Sequence, residues 1–598
     1  MNRTIHRARP EEPARSHALA ARPGRLTAAG LALLTLSAVL LLLWAAAAQA
    51  SVWVIPAMSR AYPDTPAGAQ QSIAIDAAGN EYQGVQVCLR GGGDHPATLS
   101  WASGSDPLIV DNAKLHRVYY VNVTTPTTAL GSRRGMYPDP LVPRDFGAQQ
   151  RVPGTTTPMY ILVHVPYGTP GGTYTATLHI ENGDETVDLP FSLRVWGFGW
   201  TEISTHSAFA VSEKTIQRSF AGRLDMSGVA KQRVLTAFYT MMHEHGISPT
   251  VVHYLPKVSA SGSPGVSDWA AKVAPFLDAD GLGLPDNQLP WLRWFPWSRR
   301  LNPGVAKIET YLTDMCRVYK ERGWHEKAYT YILDETNKTS EERLAEKYAR
   351  LAHKASAKSG YRIRFLLTDD PRPHALGGGM KNANTFLNDD VDIWTLRYYY
   401  YFGRIPAVRE RQRAGKEIWW YSYTNAAVRR TPSFVIDKPH IDSRAWGWLM
   451  EQWNIDGILN WGFNRWGKPT TGNGWRDPYR NPLSLIKGHV RSNGDTCLVY
   501  PGYYPRYGLD DPYAAPVSSL RLEALRDGLE EREYLRLAKA SGNDGQALAT
   551  RVLKSITSFP YKIQQKDIFN FPKYTSNNAV FDAAREQLAE FIEAHSTQ

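Results

Sequence analysis

The chain has 598 residues with 19 Trp and 31 Tyr, a length at which one hydrophobic core usually stops growing, so two or three domains are expected. The formal net charge of +11 is spread along the chain: residues 1–50 carry six Arg against Glu11 and Glu12, leaving +7 for the remainder. No clustered basic stripe is present, which argues against nucleic acid as a partner, whereas a carbohydrate, including an acidic polysaccharide, is compatible with the charge. Cys88, Cys316 and Cys497 are odd in number and far apart, so they form neither a disulfide framework nor a metal-ligand spacing.

Residues 1–25 are Arg-rich and polar, and an apolar run from Leu26 to about residue 48 ends in Ala48-Gln49-Ala50 before Ser51. A positive flank, an apolar stretch and a small-x-small site read as a secretory signal, and the stretch is also long enough for a retained membrane anchor. Either way the bulk of the chain is expected to be exported, whether secreted, periplasmic or held at the cell surface. Residues 51–200 show short alternating strands broken by Pro and Gly, among them Val52 to Ile55, Tyr82 to Val87, Tyr160 to Val165 and Thr173 to Ile180. Regular turns between such strands predict an antiparallel β-sandwich. Its role is read as packing against the rest, because no exposed aromatic row marks a carbohydrate-binding face.

Past Trp200 the period changes. Strand-like runs begin to alternate with amphipathic helical runs, the signature of β/α units around a parallel sheet. The expected strands start at Ser207, Thr250, Leu292, Ala328, Ile363, Val391, Ile418 and Gly457, with helical runs such as Val305 to Arg322 and Ser340 to Lys358 between them. Eight units over residues 201–490 suit a (β/α)8 barrel of the TIM type. Residues 491–598 read as a strand and turn followed by a C-terminal helical extension.

The fourth of these strands ends in Asp334-Glu335. Active sites of such barrels lie at the C-terminal strand ends, so an acid pair there reads as catalytic, against the alternative that Asp334 caps the next helix. No His-Glu-x-x-His, Cys-x-x-Cys, phosphate-cradling glycine loop or Gly-x-Ser-x-Gly elbow is found, so no metal or other cofactor is expected.

Tyr331-Ile-Leu-Asp334-Glu335, Arg413-Ala-Gly-Lys-Glu-Ile-Trp419-Trp420-Tyr421, Ile455-Asp-Gly-Ile-Leu-Asn460-Trp461-Gly462 with Trp466, and Ser519-Leu-Arg521-Leu-Glu523-Ala-Leu-Arg526-Asp527-Gly528 together resemble glycoside hydrolase family 123 and the larger family-123-like catalytic domain. The resemblance implies a β-sandwich followed by a (β/α)8 barrel and a retaining, substrate-assisted β-N-acetylgalactosaminidase. It implies that Asp334 holds the sugar's 2-acetamido group while the acetamido oxygen attacks C1. It implies that Glu335 protonates the departing oxygen and then deprotonates water. The charge of Asp334 is expected to raise the pKa of Glu335. Thr336 stands where the family often has proline.

Candidate sugar contacts are Arg397, ending strand six; Trp420, Tyr423 and Asn425 at the end of strand seven; and Asn460, Trp461 and Trp466 around strand eight, with Trp461 as stacking platform. Asp370 precedes Pro371 and reads as a turn residue, and His253 as structural. The leading expectation is an exported glycosidase acting on an N-acetylhexosaminide. The alternatives are a glycosidase of the same fold acting on a sugar without an acetamido group, and a non-catalytic polysaccharide-binding envelope protein.

Overall fold

The computed structural model describes residues 51–596 other than 92–94, 128–131, 153, 221–225, 291–303, 325, 337, 373–383, 422–430, 468–474, 488–489, 512 and 559–572. The first part folds into two sheets. Strands β1 (Ser51–Pro56), β3 (Glu81–Arg90), β5 (Ala113–Val123), β6 (Gly135–Arg144) and β8 (Thr157–Val165) form one, in the order β1-β3-β8-β5-β6. Strands β2 (Ile73–Gly79), β4 (Ala97–Trp101), β7 (Gly147–Gln149), β9 (Gly172–Asn182) and β10 (Glu185–Gly199) form the other, in the order β2-β10-β9-β4-β7. Alternation decides which residues face inward. Ala176, Leu178 and Ile180 on β9 are buried while the residues between them are less so, and they share one apolar cluster with Val85, Val87 and Leu89 of β3.

A second body is a nearly closed parallel sheet of seven strands. Its strands are β11 (His206–Phe209), β12 (Asn287–Gln288), β13 (Ala328–Tyr331), β14 (Arg364–Leu367), β15 (Ile393–Arg397), β16 (Glu417–Tyr421) and β17 (Gly457–Asn460). They run in the order β11-β17-β16-β15-β14-β13-β12. Between the edges β11 and β12 passes a short run in place of the expected second strand. The Phe209 N–H donates to Ser248 O, the Thr250 N–H to Phe209 O and the Gln288 N–H to Thr250 O, each at 2.9 Å. Pro249 has no N–H to give, and the Val252 N–H turns to the Asn287 side chain at 2.9 Å, so a regular ladder cannot form. The third strand expected from Leu292 lies outside the described residues; the third position belongs to Asn287–Gln288, two buried polar residues that an apolar pattern cannot reveal.

Helices α1 (Gly228–Glu244), α2 (Val266–Leu277), α3 (Val305–Glu321), α4 (Thr339–Ser359), α5 (Ile405–Arg413) and α6 (Ile441–Trp453) follow the strands. Inward-facing Ala208, Tyr329, Leu366, Ile393, Trp419, Tyr421 and Leu459 fill the sheet's interior, and their outward neighbours Phe365, Trp394, Ile418, Trp420 and Ile458 join the apolar layer under the helices. After the barrel, β18 (Leu483–Lys487) and β19 (Val490–Asn493) make a hairpin, and β20 (Ser518–Ser519) pairs with β6, extending the first sheet to six strands. Helices α7 (Leu520–Ala540), α8 (Asn543–Ile556) and α9 (Asn578–Ser596) complete the chain. No helix among the described residues is long and apolar enough to cross a membrane.

Helix α7 is buried along most of its length because it meets α6 backbone to backbone. A Cβ at Gly447 would lie 1.7 Å from Gly528 O, and one at Gly528 would lie 2.0 Å from Arg444 O. No side chain can yield there, so Gly447→Ala forces the helices apart. The expected cost is roughly 1–3 kcal/mol or more, read as a lowered denaturation midpoint.

Candidate active site

Four adjacent strands deliver side chains to one place. β13 ends at Tyr331, three residues before Asp334, so the acid pair lies in the loop beyond the strand. Asp334 is exposed, and the Glu335 side chain is 34% exposed, so neither acid is turned into the core. The Asp334 Oδ1 accepts from the Tyr331 hydroxyl at 2.6 Å and from Thr368 Oγ1, just past β14, at 2.9 Å. Helix α4 begins after Lys338 with no side-chain cap bond, so the recorded partners of Asp334 are site residues and not helix N–H groups. Glu335 takes φ +46°, a left-handed conformation that costs a non-glycine residue about 1–2 kcal/mol. Its N–H donates to Thr368 Oγ1 at 2.8 Å. Its Oε1 meets Arg397 Nη2, from the end of β15, at 2.5 Å and accepts from the Tyr421 hydroxyl, from the end of β16, at 2.8 Å. Arg397 Nε in turn donates to that Tyr421 oxygen at 2.9 Å.

Glu335 opens onto a shallow cleft shared with Thr368, Asp369, Asp370, Thr395, Arg397, Tyr400 and Tyr421. The Thr336 hydroxyl donates to Asp369 Oδ2 at 2.7 Å, a contact proline could not make. Arg372 Nη2 contacts Asp369 at 2.9 Å and Glu342 at 2.7 Å, and Arg404 Nε donates to Asp370 at 2.6 Å. Burial, with the adjacent Asp370 charge, raises the Asp369 carboxyl to about 7. Although Asp334 is exposed at the surface, the protein packed beneath its carboxyl displaces water and raises it, while the Tyr331 and Thr368 hydroxyls pull it back and the Glu335 charge adds to the rise. The expectation from sequence was a raised Glu335 beside an ionised Asp334. The geometry sets a guanidinium against Glu335, and Asp334 is a carboxyl that its surroundings push up. The arrangement offers paired carboxyls, oriented hydroxyls and a guanidinium against Glu335 at the mouth of a nearly closed parallel sheet, the equipment for proton transfer to and from a glycosidic oxygen.

Residues 303–538 match the family model described as the glycoside hydrolase 123 catalytic domain. The matched stretch contains the acid pair and all four of the strands that meet at it. A family 123 glycoside hydrolase from Clostridium perfringens, solved in a study of glycolipid glycan hydrolysis, superposes with a TM-score of 0.65 at 12% identity over 92% of this chain and 98% of that one. At this identity the likeness shows a shared fold, and it runs over nearly the whole chain. A GH10 xylanase with a bacterial Ig-like domain from termite gut covers 77% of this chain and 99% of its own at 9% identity and TM-score 0.28. An endo-β-1,4-mannanase from Thermotoga petrophila covers 56% and 77% at 12% identity and TM-score 0.28. No curated protein matches in sequence.

The expected sugar contacts divide sharply. Arg397 lies in the cleft beside Glu335. Trp420 does not: it is fully buried on the outer side of β16, with Tyr398 and Tyr401 edge-on at 5.0 and 5.1 Å, because parity along the strand turns Trp419 and Tyr421 inward and Trp420 toward the helices. Trp466 is likewise core, its indole N–H donating to Val499 O at 2.7 Å. Asn460 is 1% exposed and donates to Gly462 O at 3.0 Å, so it braces its own loop. Trp461 is half-buried, but the Arg465 guanidinium covers its ring at 4.8 Å and it does not line the cleft. Tyr423 and Asn425 lie outside the described residues. His253 is half-buried, its Nε2–H donating to Val211 O at 3.0 Å. Asp370, read as a turn residue, also serves as the partner of Arg404.

Tyr331, Thr368 and Tyr400 stand at the site without having been expected as sugar contacts, and Tyr421, at the end of strand seven, could equally have been core. Tyr421 shares parity with Trp419, but a strand whose residues are all apolar does not say which parity faces inward. For Thr368, one residue past an apolar run, no local pattern announces that two strands converge on it.

Proposed function

We propose that this glycoside hydrolase removes β-linked N-acetylhexosamine of the N-acetylgalactosamine type by substrate-assisted retention. The observation that carries the reading is the placement of two consecutive carboxyls at the barrel mouth, with Glu335 opening onto the cleft and Asp334 held by the hydroxyls of Tyr331 and Thr368. Asp334 accepts from the acetamido N–H and aligns its carbonyl oxygen for attack on C1. Glu335, steered by Arg397 and Tyr421, protonates the departing oxygen and then takes the proton of the incoming water. Arg397 and Tyr421 fix the direction in which the Glu335 carboxyl points. The Arg-rich start and apolar run of residues 1–50 support export, with the two sheets of residues 51–200 as a sandwich that braces the barrel.

A panel of nitrophenyl β-glycosides with and without the 2-acetamido group tests this. Turnover confined to the acetamido sugars, and competitive inhibition by a thiazoline that mimics the cyclised intermediate, are the expected results. Turnover of plain glycosides with no thiazoline binding would transfer the site to a sugar lacking the acetamido group.

A further inference from the structure

Thr368 lies one residue beyond β14, is 3% exposed, and its single hydroxyl meets both acids. Oγ1 accepts from the Glu335 N–H at 2.8 Å and donates to Asp334 Oδ1 at 2.9 Å, with the Tyr331 oxygen 3.2 Å away. A hydroxyl has one proton and two lone pairs, so these two roles use it in opposite senses without conflict. The contact to Glu335 reaches the residue whose backbone takes φ +46°, a conformation L residues adopt only when their surroundings hold them there. We propose that Thr368 is a positioning residue for hydrolysis: through one hydroxyl it sets the carboxyl of Asp334 and holds the turned backbone that aims Glu335 into the cleft. This rests on the reading above of Asp334 and Glu335 as the acting pair.

Thr368→Val keeps the shape and removes both hydrogen bonds, whereas Thr368→Ser keeps the hydroxyl. Thr368→Val should lower kcat on an aryl β-N-acetylgalactosaminide by about 10- to 100-fold with little change in KM, as misplacement of reacting groups does. Thr368→Ser should stay within about threefold of the wild type, because the aligned hydroxyl is retained. The second readout needs no substrate. The Asp334 carboxyl faces Tyr331, Thr368, Glu335 and Arg397, and the Thr368 donor is among the groups that hold its pKa down. In protein labelled with [4-13C]aspartate, with Asp334→Asn to assign the signal, its titration midpoint should rise in Thr368→Val and return in Thr368→Ser. Thr368→Ala carries the same comparison if valine is not accommodated. An unchanged midpoint and kcat in Thr368→Val, or a serine variant that falls as far as the valine one, overturns the proposal. A wild-type enzyme inactive on every acetamido glycoside would sink the proposed function, and the carboxyl titration would still decide whether Thr368 governs Asp334.

Discussion

Glu335→Gln is expected to lower kcat/KM by about 100- to 10,000-fold, the usual contribution of a positioned acid and base. The amide keeps the shape and still accepts from Arg397 and Tyr421, but it can neither give a proton to the leaving oxygen nor take one from water. The loss should be smallest in the first step for nitrophenyl glycosides, whose leaving group needs little protonation, so the intermediate should accumulate. Added azide, a nucleophile that needs no base, should then restore turnover and give a glycosyl azide of retained β configuration. Asp334→Asn should behave differently, losing activity on acetamido sugars without azide rescue, because it fails before the intermediate forms. Glu335→Gln with wild-type activity would remove Glu335 from the mechanism.

Arg521→Met is expected to cost about 3–5 kcal/mol of stability, because it strands a buried charge. Arg521 is 0% exposed and pairs with Asp139 through Nε and Nη2, each at 2.9 Å. Its Nη1 also donates to the carbonyls of Phe434 at 2.5 Å and Gly494 at 2.6 Å, and Nη2 to that of Cys497 at 2.7 Å. Tyr500 completes the site, donating to Asp139 at 2.5 Å. One guanidinium therefore ties α7 to β6 of the first sheet and to the loops around the barrel. Denaturant unfolding should show the lowered midpoint, and Asp139→Leu added to Arg521→Met should recover part of the loss by removing the lone carboxylate. An unchanged midpoint in Arg521→Met would mean that the contact contributes nothing net.

Much of this was legible before any coordinates. The switch from period two to alternating strands and helices near Trp200 is local chemistry, since side-chain spacing along a strand or helix follows from backbone geometry alone. An acid pair after an apolar strand needs no tertiary information to stand out, and the helical runs from Val305 and Ser340 begin within a residue of α3 and α4. What the local pattern lacks is orientation where every residue is apolar: Ile418 to Tyr421 are all buried, so nothing along that strand says that Trp420 faces helices and Tyr421 the cleft.

The amino-acid sequence by itself determined the order of elements and the presence of two carboxyls at the end of one strand, because those depend on neighbours in the chain. Only the tertiary structure decided which hydroxyl and which cation meet those carboxyls. Thr368, Arg397 and Tyr421 lie 33, 62 and 86 residues from Glu335, and they reach it only because β13, β14, β15 and β16 stand side by side in a parallel sheet. The same is true of Gly447 and Gly528, whose lack of side chains matters only because two helix backbones touch there.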